Sequence, residues 1–325
     1  MTAVEKPEVL VLWPNRPKQM AILEERYRLH HYYRAADKAA LLREAGPRVR
    51  AIVCSGEVGP DRAMIEACPR LEIVACYGVG VDAIDRVACA RRAIPITNTP
   101  DVLTEDVADT ALMLLLMAFR EAIRADAWVR TGRWEREGPM PVTTSPRGRK
   151  VGIVGLGRIG TAIARRVEAI GMVVAGYCGR RPRPEVPYAF FPDPLALARA
   201  VEVLVLSCPG GPATRGLVNA AVLEALGPQG VLVNVARGSV VDEEALIEAL
   251  ERGTIKAAAL DVFANEPRVP ERLRRLENVV LSPHAASATF ETRDKMAQLV
   301  VDNLEAHFAG RPLLTPVPPP RPGEA

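Results

Sequence analysis

The sequence predicts an α/β protein of two domains, each a parallel β-sheet covered by helices. Three observations lead there. Short β-branched runs alternate with longer stretches of helical apolar spacing. The runs form two successive series, and those of the second are continuously apolar, as expected of strands covered on both faces. The chain has 325 residues, enough for two cores of ordinary size.

In the first series, EVLVLW (8–13), VRAIVCS (49–55), LEIVACYG (71–78) and IPITNT (94–99) read as strands, with helical segments such as DRAMIEAC between them. YRLHHYYR, which holds His30 and His31, is polar and reads as surface. A helical stretch from Glu105 to about Arg130 separates the two series. Its ALMLLLMAF is too apolar for a solvated helix and only about half the length that spans a bilayer. A core helix and a subunit interface account for it equally well.

The second series is KVGIVG (150–155), MVVAGY (172–177), EVLVLS (202–207), GVLVNV (230–235), AAALDV (257–262) and NVVLSP (278–283). A closing helix, TFETRDKMAQLVVDNLEAHF, sets Met296, Leu299, Val300, Leu304 and Phe308 on one face. The tail PVPPPRPGEA should be extended and poorly ordered.

Hydrophobic residues at 49% and charged residues at 25% are the balance of a soluble globular protein. A net charge of +3, with both signs interspersed, gives no basis for a nucleic-acid or membrane partner. The six cysteines, Cys54, Cys68, Cys76, Cys89, Cys178 and Cys208, lack CxxC spacing, which argues against a metal site and against a secreted disulfide framework. They are expected to be reduced and mostly buried. The start MTAVEKPEVL has no signal-peptide pattern, and a cytoplasmic protein is expected.

VGIVGLGRIG carries the first chemistry. Gly155, Gly157 and Gly160 stand in GxGxxG spacing between a strand and a helix. The first permits a tight turn, the second lets backbone approach a pyrophosphate, and the third allows close helix packing. Leu156, Arg158 and Ile159 complete a loop whose amides face an anion at the helix N-terminus. In such a unit an acid ~20 residues on binds the adenosine ribose hydroxyls. Here that place reads GYCGRRP, with Cys178, Arg180 and Arg181 and no acid. A carboxylate there would repel a 2′-phosphate, whereas a guanidinium grips it with paired hydrogen bonds. NADP(H) is therefore expected over NAD(H).

His284, one of four histidines, follows a strand and precedes small residues, where parallel sheets collect ligands. Arg237 follows GVLVNVA, and Glu266 lies in the turn ANEP after AAALDVF. Together the three suit a 2-keto acid. Arg237 would hold the carboxylate and polarise the carbonyl. His284 would donate a proton as hydride arrives. Glu266 would orient the imidazole and keep it charged. No metal is needed.

With these residues in view, the sequence resembles the D-isomer-specific 2-hydroxyacid dehydrogenases. The similar stretches are YGVGVDAID, the glycine loop, VLVNVARGSVVDEEALIEAL, AAALDVFANEP and NVVLSPHAASAT. Arg237, Glu266 and His284 fall on that family's catalytic positions. The resemblance implies that Asp261 binds the nicotinamide carboxamide, and that the amides of Val79 and Gly80 hold the substrate carboxylate. It also implies cofactor contacts at Thr104, Pro209, Val235, Ala236 and Ser287. It implies two Rossmann-like doubly wound domains, with a cofactor domain (101–287) inserted into a discontinuous substrate domain (1–100 and 288–325). It further implies a homodimer joined largely by the long helix, which favours the interface reading of that segment.

Within the family the chain looks most like the NADPH-dependent glyoxylate, hydroxypyruvate and hydroxyphenylpyruvate reductases. A pocket drawing on Trp13, Cys54, Ser55, Gly56 and Met140 would suit a small keto acid first and an aryl pyruvate second, although core packing is the plainer reading of Trp13. The rival readings are an NAD-linked member acting on another 2-hydroxy acid, and a non-catalytic, corepressor-like sensor of the dinucleotide.

Overall fold

The computed structural model describes residues 6–320. The first five and last five residues, which include parts of the N-terminal and tail readings above, lie outside the described residues. The chain divides into two compact units, Met1–Leu103 with Ala288–Ala325, and Thr104–Ser287.

The first unit holds five parallel strands: β1 (Glu8–Val11), β2 (Arg28–His31), β3 (Val49–Ser55), β4 (Ile73–Tyr77) and β5 (Ile96–Thr97). Their order is β2-β1-β3-β4-β5. The direction of winding reverses between β1 and β3, and ligands collect at the carboxyl ends beside such a reversal. Helices α1 (Pro17–Arg26), α2 (Lys38–Ala45), α3 (Arg62–Ala67) and α4 (Arg86–Arg91) make the crossovers. Asp37, Asp61 and Asp85 start the last three, each carboxylate accepting the amide three residues on at 2.8 Å. Such a cap contributes about 1 kcal/mol. Leu10, Ile52, Ile65 and Val74 belong to the core this builds.

The C-terminal helix, Phe290–Phe308, packs on β4 and α1. Met296, Val300 and Leu304 are buried as their spacing predicts, while Leu299 and Phe308 are half-buried.

Three expectations need correction here. The polar run YRLHHYYR contains β2, a sheet-edge strand whose His30 pairs with the buried Glu8 at 2.7 Å. An edge strand has one partner and need not be apolar, so the sequence carries little sign of it. The start of the tail is tied down: Val317 donates to the Ile96 carbonyl at 2.7 Å, and Pro316 bridges Thr97. Trp13 is 39% exposed and is not a core residue.

The second unit opens with α5 (Thr104–Arg120), α6 (Ala122–Arg130) and α7 (Arg133–Glu137). The single long helix expected from residue 105 to about 130 is broken at Glu121, whose φ of 47° is left-handed. A seven-stranded sheet follows, with β6 (Lys150–Val154), β7 (Val173–Cys178), β8 (Ala189–Phe191), β9 (Val203–Leu206), β10 (Val231–Asn234), β11 (Ala257–Leu260) and β12 (Val279–Leu281). All pairings are parallel, in the order β12-β11-β10-β9-β6-β7-β8. Winding reverses at β6, directly before the glycine loop. The edge strand β8 is apolar, but three residues are too few to show a strand pattern.

Crossover helices α8 (Arg158–Ala169), α9 (Pro194–Ala198), α10 (Ala220–Leu226), α11 (Glu243–Glu251) and α12 (Glu271–Arg275) complete this unit. Helix α5 buries Val107, Ala111, Leu114, Leu115 and Phe119, packing against α8, β10 and β11. Core packing therefore explains most of its apolar run. Met113 on α5 and Ile123, Val129 and Trp134 on the next two helices stay exposed. Among the described residues, no helix is long and apolar enough to cross a membrane. All six cysteines are free and buried.

Candidate active site

The glycine loop is built by steric necessity. Gly155 has φ of 93°, and a Cβ on it would lie 2.6 Å from the Cys208 backbone. A Cβ on Gly160 would lie 2.3 Å from the Gly155 carbonyl, so α8 meets the loop only because a hydrogen stands there. At Gly157 a Cβ would meet nothing within 4 Å, leaving backbone open to a ligand. The Gly155 amide donates to the Cys178 carbonyl at 2.9 Å, and the Ser207 hydroxyl donates to the Gly155 carbonyl at 2.9 Å. The ends of β6, β7 and β9 are thereby joined. An open glycine facing the N-terminus of a twelve-residue helix fits a dinucleotide pyrophosphate.

At the end of β7 the Cys178 side chain points into the core, and burial pushes its thiol up to about 12. The side chain at this position is therefore turned away from any ligand. Arg180 and Arg181 follow on an exposed loop, and Pro209 is exposed after β9. Val235 and Ala236 are buried, while Thr104 and Ser287 are half-buried.

Arg237 sits just past β10. Asn234, the buried last residue of that strand, shapes the turn: its Oδ1 accepts the Ala236 amide at 3.0 Å and its Nδ2 donates to the Arg237 carbonyl at 3.1 Å. The guanidinium Nη1 donates to the Ala236 carbonyl at 2.7 Å. Gly238 presses against the next turn so closely that a Cβ would lie 1.9 Å from the Phe263 carbonyl carbon and oxygen. The turns bearing Arg237 and Glu266 are thus in backbone contact.

Glu266 is held by its own turn. Its Oε1 accepts the Phe263 amide at 2.8 Å, and its Oε2 lies 2.7 Å from His284 Nδ1. The Glu243 carboxylate accepts the neighbouring Ala264 amide at 2.9 Å. Burial is the largest influence on the Glu266 carboxyl and opposes ionisation. The hydrogen bonds from His284 and Phe263 and the charges of His284 and Arg237 together outweigh it, leaving the carboxyl below its usual range.

His284 has a φ of 51°, a left-handed conformation rare outside glycine. Asp261 holds it there. The Asp261 carbonyl accepts the His284 amide at 2.8 Å. Its carboxylate, 1% exposed, takes the Ser282 hydroxyl at 2.5 Å and the Ala285 and Ala286 amides at 2.9 and 3.0 Å. The family resemblance implied a nicotinamide contact for Asp261; the structure makes it the anchor of the histidine loop. Asn234, Gly238, Glu243 and Ser282 were missed. A polar residue closing an apolar strand, as at Asn234, was the one available signal.

In the first unit, Trp13, Ser55 and Val79 lie at or just beyond the carboxyl ends of the adjacent strands β1, β3 and β4. The Ser55 hydroxyl accepts the Glu57 and Val58 amides at 3.2 and 3.1 Å, shaping the turn through Gly56. The Cys54 side chain is fully buried, and its thiol is raised well above the ordinary range by hydrogen bonding with Cys76 and then by burial. The whole residue is 0% exposed in a strand flanked by β1 and β4, so the substrate contact expected at Cys54 is not borne out, because the sheet encloses it. The Val79 carbonyl accepts Asn98 Nδ2 at 2.8 Å, and the Gly80 carbonyl accepts the Cys76 thiol at 3.4 Å. In the second unit, Met140 is half-buried.

A reversed parallel sheet with this glycine loop defines a dinucleotide-binding α/β protein. The model of the D-isomer specific 2-hydroxyacid dehydrogenase NAD binding domain matches residues 112–286. Glyoxylate/hydroxypyruvate reductase A of Arabidopsis thaliana is 46% identical, covering 97% of this chain and 100% of its own. Hydroxyphenylpyruvate reductase of Plectranthus scutellarioides is 44% identical, covering 95% and 98%. The crystal structure of an NADPH-dependent glyoxylate/hydroxypyruvate reductase from Sinorhizobium meliloti, in complex with NADP and malonate, superposes with a TM-score of 0.89 at 46% identity, covering 98% and 99%. The chain belongs to the D-isomer specific 2-hydroxyacid dehydrogenase family.

Proposed function

We propose that the protein reduces a small 2-keto acid of the glyoxylate/hydroxypyruvate class to the D-2-hydroxy acid with NADPH. The observation that carries this is the 2.7 Å pair between His284 Nδ1 and Glu266 Oε2, in a unit that also bears the glycine loop. With Nδ1 engaged by a carboxylate, Nε2 is the nitrogen that delivers a proton to the carbonyl oxygen. In the reverse direction the same nitrogen acts as the base. Arg237 holds the substrate carboxylate and polarises the carbonyl. The amides of Val79 and Gly80, with Ser55, are the proposed further carboxylate contacts.

Bound NADPH supplies the hydride. Gly155, Leu156, Gly157, Arg158, Ile159 and Gly160 form its proposed pyrophosphate cradle, and Arg180 and Arg181 its 2′-phosphate site. Thr104, Cys178, Pro209, Val235, Ala236, Asp261 and Ser287 are its other proposed contacts. The unit Thr104–Ser287 is then the cofactor domain and the other unit the substrate domain.

The names of the relatives support the substrate class. Exposed Trp13 and the hydroxyphenylpyruvate reductase relative favour an aryl pyruvate as a second reading. Initial rates on glyoxylate, hydroxypyruvate, pyruvate and hydroxyphenylpyruvate with each reduced cofactor decide between them. Turnover of none of these acids would leave the dinucleotide sensor as the better account.

Free, buried cysteines support a reducing compartment such as the cytoplasm. Exposed Met113, Ile123, Val129, Trp134 and Val142 support a homodimer through the second unit, and the mass in solution is the check.

Glu266→Gln tests the proton path. Glu266 is held ionised, and its charge favours the protonated imidazole needed for reduction. Without that charge the proton leaves His284 at lower pH, so the high-pH limb of kcat/KM for reduction moves down. An unmoved limb removes Glu266 from this role. Because the Glu266 carboxyl is depressed from 4.5, the stability it contributes is present above that pH and is lost as pH falls through its folded value.

A further inference from the structure

We infer that Tyr177 and Arg183 set the preference for a 2′-phosphate by holding the arginine loop, residues 179–182, closed at both ends. This rests on the NADPH reading above. An arginine on an unrestrained loop is a weak phosphate ligand, because binding must first order the chain that carries it. Here the chain is already ordered. At the near end, the Cys178 carbonyl accepts the Gly155 amide at 2.9 Å. At the far end, the Arg183 amide donates to the Tyr177 hydroxyl at 2.5 Å, and its guanidinium donates to the Leu156 carbonyl inside the glycine loop. The stretch bearing Arg180 and Arg181 is therefore fastened to the same backbone that cradles the pyrophosphate, and Pro182 further restricts it.

Tyr177 does this from beneath. It is 2% exposed and stacks edge-on against Phe190 of β8 at 5.6 Å, so its hydroxyl has a fixed position and its ring is not a cofactor contact. Arg183 has a second effect. Glu185 is the one acid between Gly179 and Phe191, and a carboxylate here repels a 2′-phosphate. The Arg183 Nε donates to Glu185 Oε1 at 2.7 Å and matches that charge. Both are positioning residues, acting through Arg180 and Arg181.

The test compares binding of adenosine 2′,5′-bisphosphate and 5′-AMP by calorimetry in the wild type, Tyr177→Phe and Arg183→Met, alongside KM for NADPH and NADH. The wild type should favour the bisphosphate and NADPH. Tyr177→Phe keeps the ring and loses the acceptor, and should cut that discrimination by about fivefold, the effect of one hydrogen bond. Arg183→Met should cut it further, with binding of 5′-AMP and kcat at saturating NADPH unchanged in both. If the wild type does not discriminate, the NADPH reading fails and this inference with it. If the wild type discriminates and both variants do so equally well, or if both probes weaken together, the loop-holding role is overturned while the NADPH reading stands.

Discussion

Replacing His284 by Ala is expected to lower kcat by about 10²- to 10⁴-fold, the usual worth of a positioned general acid. NADPH binding should survive largely intact. The physical reason is that the loop around position 284 does not depend on the imidazole. Asp261 holds it through the backbone amides of residues 284–286 and through the Ser282 hydroxyl, with the Asp261 carboxylate supplying three of those acceptor contacts. Alanine tolerates the φ of 51° less well than histidine, at an extra cost on the order of 1 kcal/mol, which the Asp261 hydrogen bonds outweigh, so the fold is kept. Steady-state rates and a fluorescence titration with NADPH check both halves. A fall in kcat of less than about tenfold would take the proton transfer away from His284.

Replacing Arg237 by Ala should raise KM for the keto acid and lower kcat together, reducing kcat/KM by about 10²- to 10³-fold, as removal of a charged transition-state donor does. Lysine should not restore it, because an ammonium cannot make the paired, planar contact of a guanidinium with a carboxylate. The turn itself should stand in both variants. Asn234 hydrogen bonds on both sides of it, and Gly238 lies against Phe263, none of which involves the Arg237 side chain. The same kinetics in both variants with cofactor held saturating is the measurement. A rise in KM with kcat unchanged would reduce Arg237 to a binding contact.

The readings that succeeded depend on neighbours in sequence. Within one strand, turn and helix, GxGxxG meets the positive φ of Gly155, the open approach at Gly157 and the closeness of Gly160 to the Gly155 carbonyl, so three letters are enough to predict it. Buried strands such as β9 and β11 are apolar at every position because both faces are covered, and that too is visible locally. The edge strands β2 and β8 are short and take their order from a single neighbour each, which no local pattern records. The break at Glu121 falls within a stretch of uninterrupted helical spacing, and nothing in the spacing marks it.

The apolar central strands, the glycine loop and the lack of an acid at the end of β7 were written in the amino acids themselves, since each follows from periodicity, residue size or charge over a few consecutive positions. Folding alone supplied the 2.7 Å distance between Glu266 and His284, the anchoring role of Asp261, the enclosure of Cys54 and the fastening of Arg183 to Leu156. Those are encounters between side chains and backbone many residues apart. Their distances depend on how whole strands and turns pack, a quantity no short stretch of chain contains.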